Sequence, residues 1–200
     1  MAFAMLNITN AAASANILWF ASKGRLIQGH WQWLDHDGRR VACLLGSMHQ
    51  RVKSAADCNG ELMPLWMAEV TVMLFDRLAY DDLTPIALRY GALIARWDSI
   101  SADGWNSIMR AFLIRCIDDT LAAARPLNVG KPHWAAVEKT SAECRRLIVE
   151  NDFSAAATAV PAAAAAEAAY AASLAHPDGS AATAMRLFTF LLDQIEAAIT

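Results

Sequence analysis

The residues in this chain whose side chains could do chemistry are four cysteines, five histidines and a scatter of carboxylates. The cysteines are Cys43, Cys58, Cys116 and Cys144, and no two of them form a CxxC pair. A structural zinc site sets two ligands on one turn, because that fixes half of the tetrahedron. Cys43, His49 and Cys58, with His36 or Asp57, supply ligand types without that spacing, so no metal and no cofactor is expected. His49 follows Cys43 by six residues. On a helix that separation is about 600°, which sends the two side chains to opposite sides and forbids a thiolate–imidazole couple. Ser47 follows Gly46, but Leu-Gly-Ser-Met lacks the second glycine of a nucleophile elbow.

The carboxylates give a second set. Glu69 lies in an apolar helix expected from Pro64 to Leu78, and Asp76 follows seven residues later on the same face. Asp118 and Asp119 sit on the helix that starts at Ala102. Facing carboxylates in a bundle can hold a divalent cation, but the ExxE or ExxH repeat that builds such sites is missing. The expected role is ion pairing: Asp76 with Arg77, Arg115 with Asp118, and Glu69 with Arg89 or Arg96. The pair His36-Asp37 is similar to that of helical metal-dependent phosphohydrolases, yet it precedes Gly38 and reads as a turn. No GxGxxG, Walker A, HExxH or EF-hand pattern occurs.

The elements that must position these groups are helical. Helices are expected at 10–22 behind a Thr9 or Asn10 cap, at 41–52, and from Pro64 to Leu78. Others run from a Thr84 cap with Pro85 in the first turn to Trp97, from a Ser101 cap to Ala124, and from Lys131-Pro132 to Glu150. A last helix runs from Ser180 to Ile199, with Met185, Phe188, Leu191, Leu192 and Ile195 as its apolar stripe. Arg125-Pro126 ends the fifth of these. Asp152 or Ser154 caps a further helix, broken or restarted at Pro161. Between Ala155 and Ala172, 13 of 18 residues are alanine, which favours a close-packed helix pair. Residues 24–40, with the turn Asp35-His36-Asp37-Gly38, read as a short β-hairpin or an ordered loop. The fold class is therefore all-α: a single-domain bundle of seven or eight helices over 1–200, with a basic, Trp-rich part at 1–53 and Ala-rich helices at 153–200.

Composition bounds the function. Of 200 residues 56% are hydrophobic and 18% charged, with a net charge of −3. Residues 1–53 carry +4 and the remainder −7. Trp19, Phe20, Trp31 and Trp33 are interleaved with that basic charge, but the cations are too sparse for a dedicated nucleic-acid binder. No apolar run reaches the 18 or so residues of a membrane span, and no basic residue precedes Lys23, so a cytoplasmic protein without a membrane partner is expected.

Ile27-Gln28-Gly29-His30-Trp31, Asp37-Gly38-Arg39 and Ala42-Cys43-Leu44-Leu45-Gly46-Ser47 together resemble a pattern in small uncharacterised bacterial helical proteins, where a QG segment precedes a CLLG-type helix start. The match covers about 20 residues, and the resemblance implies no activity. The Ala-rich C-terminal half is similar in texture to helical immunity proteins of bacterial toxin systems, which implies interaction without assigning residue roles.

Two functions follow. The first is a non-catalytic helical protein that associates with a protein partner or with itself as a homodimer, since tryptophan is enriched where interfaces are strongest. The second is a small metal- or ligand-binding enzyme with its pocket in the first 70 residues. It requires His49, Asp57 and Glu69 to converge on one cavity. The residues singled out for binding are Trp31, Trp33, His49, Asp57, Trp66 and Glu69.

Overall fold

The computed structural model describes residues 8–58, 60, 62–150 and 179–199. Seven α-helices and one two-stranded hairpin occur among them, as expected for an all-α bundle with a short hairpin. The readings at Asp152, Ser154, Pro161 and the Ala-rich run lie outside the described residues.

Helix α1 (Asn10–Ser22) starts where Thr9 Oγ1 accepts the Ala12 N–H at 3.2 Å. It buries Ala13, Ile17, Phe20 and Ala21. The chain then forms the hairpin of β1 (Gln32–Leu34) and β2 (Arg40–Ala42), with Trp33 opposite Val41 and Leu34 opposite Arg40. Its turn is built by Asp35, whose Oδ1 accepts from Asp37 N at 2.9 Å and Arg39 N at 2.8 Å. Those backbone donors, the Arg39 N–H first, hold the Asp35 carboxyl below its ordinary range. Gly38 completes the turn at φ 71°, where a side chain would be strained.

The helix expected at 41–52 is a correction. Residues 41 and 42 belong to β2, and α2 spans only Leu44–Met48 before His49 turns extended. Two features cut it short. The chain passes under the Trp31 carbonyl so closely that a Cβ on Gly46 would lie 1.8 Å from that oxygen. Carbonyls inside and just beyond the helix are also claimed by side chains from outside it. Gln32 Nε2 donates to the carbonyls of Gly46 (3.0 Å), His49 (2.8 Å) and Val52 (3.3 Å). Asn16 Nδ2 donates to that of Met48 at 2.7 Å.

Helix α3 (Leu65–Phe75) follows Pro64 and ends in the same manner. Gln28 Nε2 donates to the carbonyls of Phe75 (2.7 Å) and Leu78 (3.0 Å), and Asp76 Oδ1 accepts from Gly29 N at 3.1 Å. Helix α4 (Tyr80–Ile94) begins a full turn before the expected Thr84 cap. Asp81 and Asp82 sit in its first turn, where the helix dipole favours them, and Pro85 is carried inside. Gly91 lets α1 approach, because a Cβ there would meet Ile17 and Leu18 at about 3.1 Å.

Helix α5 (Ala102–Asn128) is capped by Ser101 as expected but runs through Pro126 rather than stopping at it. Helix α6 (Trp134–Val149) begins after Pro132. Helix α7 (Gly179–Ala198) buries Phe188, Leu191, Leu192 and Ile195, with Met185 partly covered. The buried hydrophobic side chains, Val41 and Trp134 apart, form one connected core. Through it runs a chain of edge-to-face aromatics: Trp66–Trp105 (6.2 Å), Trp105–Trp97 (5.3 Å), Trp97–Tyr90 (5.0 Å) and Tyr90–Phe188 (6.1 Å). No helix among the described residues is long and apolar enough to cross a membrane.

Two substitutions test this account of α2. Gly46→Ala has no room without moving the hairpin, and about 3 kcal/mol or more of stability is expected to be lost. Gln32→Ala leaves three carbonyls without their donor and is expected to cost about 2 kcal/mol. Urea unfolding of each variant measures both.

Candidate functional site

The six residues singled out from the sequence fall into separate places. Trp66 is buried in the aromatic chain. Trp31 is half-buried, and its carbonyl accepts from Cys43 N at 3.2 Å. His49 Nδ1 accepts from Arg51 N at 3.2 Å. Asp57 Oδ2 accepts from Lys53 N (2.8 Å) and Ser54 Oγ (3.0 Å), closing the 3-10 turn at Ala55–Cys58. Glu69 is half-buried on α3. Its expected partners are occupied elsewhere: Arg89 donates to Asp193 and Glu196, both at 2.6 Å, and Arg96 to the Ile199 carbonyl at 2.7 Å. Arg115 pairs with Asp119 rather than Asp118, and Asp118 pairs with Arg145 of α6.

Cavities lined by described residues include three of note. One of about 270 Å³ lies at Asn10, Met63, Trp97 and Trp105, and one of about 150 Å³ between α5 and α6 at Cys116, Thr120 and Val137. His49, Asp57, Trp66 and Glu69 line neither of them, nor the third. Among the described residues no three His, Cys, Asp or Glu side chains gather as a metal site. Burial pushes the Cys43 thiol up to about 11 and those of Cys58 and Cys116 to about 12. These thiols stay protonated, and a protonated thiol is a poor nucleophile.

The third cavity is an open groove of about 430 Å³ on the hairpin, lined among the described residues by Gln32, Trp33, Leu34 and Arg40. Trp33 is 64% exposed and Leu34 62%. The Trp33 indole rests on the His30 ring, 5.6 Å between centroids. Arg40 lies over Phe20 at 5.1 Å, Phe20 meets Trp19 edge-to-face at 5.1 Å, and Arg25 covers Trp19 at 4.8 Å. Among the described residues neither Arg25 nor Arg40 has a carboxylate partner, and the buried Arg40 Nε has no acceptor.

The backbone of β1 adds to this surface. Asp35 N donates to the Arg39 carbonyl, and Cys43 N to that of Trp31. Hydrogen-bonded pairs alternate along an antiparallel ladder. The pair Leu34–Arg40 is therefore of the non-bonded kind, as is Gln32–Ala42. The N–H and C=O groups of Gln32 and Leu34 point away from β2, and no described residue bonds them. The opposite edge of β2 is covered by Leu26, through Ile27 N to the Ala42 carbonyl (3.0 Å) and Ala42 N to that of Arg25 (3.1 Å).

Sequence reasoning found Trp33 but missed Leu34, Arg40 and the open edge. The signal was present in the alternation Trp31-Gln32-Trp33-Leu34 facing Arg39-Arg40 across an Asp-Gly turn. No family model matches the chain, and neither a curated protein nor a solved structure shows significant similarity to it.

The thiols give a direct check. In the native protein at pH 8 a dithiobis-nitrobenzoate titration is expected to find one fast thiol, Cys144, with the other three reacting only on unfolding. Because the three folded values lie above the ordinary 9.0, the unfolded chain loses its thiol protons first as pH rises. Their contribution to stability is complete below pH 9 and declines between 9 and about 12, which urea midpoints against pH record.

Proposed function

We propose that this protein is a non-catalytic association module that holds another polypeptide at the open edge of its hairpin. The observation that carries the reading is the placement of Trp33 and Leu34, both largely exposed, on a strand whose outward backbone groups are unpaired. An exposed apolar edge strand is a pairing template, and proteins normally blunt or cover one. Exposed tryptophan with arginine beside it is the composition of an interface centre rather than of ordinary surface. The polar groups that an enzymatic reading would recruit serve the fold instead. His49 and Asp57 close local turns, and three thiols are buried.

Site-specific photo-crosslinking tests this. A photoreactive phenylalanine is placed at position 33 in the intact chain, and the same group at Tyr80, also exposed, serves as the control. A polypeptide adduct specific to position 33, either a second copy or one defined protein by mass spectrometry, is the expected result. Adducts equal at both positions, or adducts to nucleic acid alone, overturn the reading.

A further inference from the structure

Resting on that association reading, we infer that the partner presents an extended acidic segment, which adds to β1 as a third strand and sets a carboxylate against Arg40. The backbone of β1 specifies the extended form. Gln32 and Leu34 together offer two N–H donors and two C=O acceptors at strand spacing, which only another extended backbone satisfies together. The β2 edge is covered at Ala42 by Leu26, which leaves β1 as the longer open edge.

The charge follows from side-chain geometry. Leu34 and Arg40 are directly opposite and share one face of the hairpin. A residue opposite Leu34 on an added strand lies on that face, about 10 Å from Arg40 at the backbone, two strand spacings away. Glutamate and arginine side chains bridge that gap. Arg40 is held for such a role. Its guanidinium is stacked on Phe20, has no carboxylate partner among the described residues, and lines the groove itself. The two carboxylates of the turn are both engaged within it, Asp37 by Arg39 at 3.1 Å and His36 at 3.4 Å, and Asp35 by the N–H groups of Asp37 at 2.9 Å and Arg39 at 2.8 Å. Arg25, stacked on Trp19, extends the same positive surface. Residues on either side of the acidic one face the other way and meet Trp33. The favoured segment therefore alternates acidic and apolar residues. A nucleic acid fits less well, since it needs a row of cations for successive phosphates and leaves the backbone donors and acceptors of β1 unmatched.

The test uses the full chain and two blocked heptapeptides, Thr-Val-Glu-Val-Glu-Val-Thr and its lysine counterpart, followed by amide NMR. The glutamate peptide is expected to bind, to slow exchange of the Gln32 and Leu34 amides, and to weaken as salt rises. Arg40→Gln is expected to weaken it about tenfold, a change typical of losing one charge-assisted bond. Tyr80→Ala is expected to leave it unchanged. The salt dependence of the unaltered chain decides the matter if Arg40→Gln does not fold. Equal binding of the lysine peptide overturns the inference. So does protection of the same amides by raising protein concentration alone, which assigns the edge to a second copy, or by a thymidine 12-mer but not the peptide. If position 33 crosslinks to a polypeptide but the glutamate peptide fails, the acidic segment is wrong and association stands. If both fail, association itself is wrong.

Discussion

Helix ends in the first half of this chain depend on side-chain amides for their hydrogen bonds, and the surface described above depends on those amides. The last carbonyls of any helix lack an internal partner. In α2 and at the end of α3 they are met by Asn16, Gln28 and Gln32, which between them reach six backbone carbonyls. A five-residue helix has no stability of its own, because nucleation costs more than so few bonds return. Helix α2 exists because α1 and β1 close its end. The same contacts act in the other direction. Gln28 fixes the chain to the end of α3 and Gln32 fixes it to the end of α2, so residues 28–32 are tied at both ends between two helices. Trp33 and Leu34 follow directly, and the direction in which they project is set by those ties.

What was legible in the sequence divides along the same line. The long helices were read because apolar period and caps are local signals, as at Thr9, Ser101 and the stripe from Phe188 to Ile195. The Asp-Gly turn announced the hairpin. The helix expected at 41–52 was misread because its apolar spacing is helical, while the forces that break it come from 14 to 32 residues away, at Trp31, Gln32 and Asn16. Prolines misled in a related way. Pro85 and Pro126 both lie inside helices, where flanking turns outweigh one lost bond and one clash. Of the site, Trp33 was legible as an aromatic in a basic stretch. The open edge was not, since strand exposure depends on which partner covers which side, and that is a property of the assembled fold.

The surplus of tryptophan resolves into two populations. Trp66, Trp97, Trp105 and Trp134 are buried, and three of them form the edge-to-face chain that joins α3, the turn at Trp97 and α5. Tyr90 and Phe188 extend it to α4 and α7. Such contacts add about 0.5–1.5 kcal/mol each beyond burial. They tie α3, which an amide also reaches, to α4, α5 and α7, which the amides do not. Trp19 and Trp33 take no part in this core and are exposed, Trp19 beside the Arg25 cation and Trp33 beside the His30 imidazole. Trp31, the seventh, is half-buried and packs against the core, so the tryptophans that face solvent are Trp19 and Trp33.

That surface also explains why an apolar edge is tolerable in an otherwise ordinary bundle. The edge is short, three residues, which limits the number of backbone bonds a chance encounter can form. Arg40 stands one strand away from it without a carboxylate partner among the described residues, whereas Arg39 is engaged by Asp37. Blunting an edge with cations is a device against indiscriminate pairing. Cations do not blunt it equally against all comers, however. On the proposed reading, the Arg40 guanidinium attracts a strand bearing carboxylates and repels one bearing lysines, and specificity of this kind comes from rejecting the wrong partner as much as from holding the right one. The stacking of Arg40 on Phe20 and of Arg25 on Trp19 keeps both charges in place before any partner arrives, which lowers the entropy lost on binding. On the proposed reading, the features that guard the edge are thus the same ones that select what it accepts.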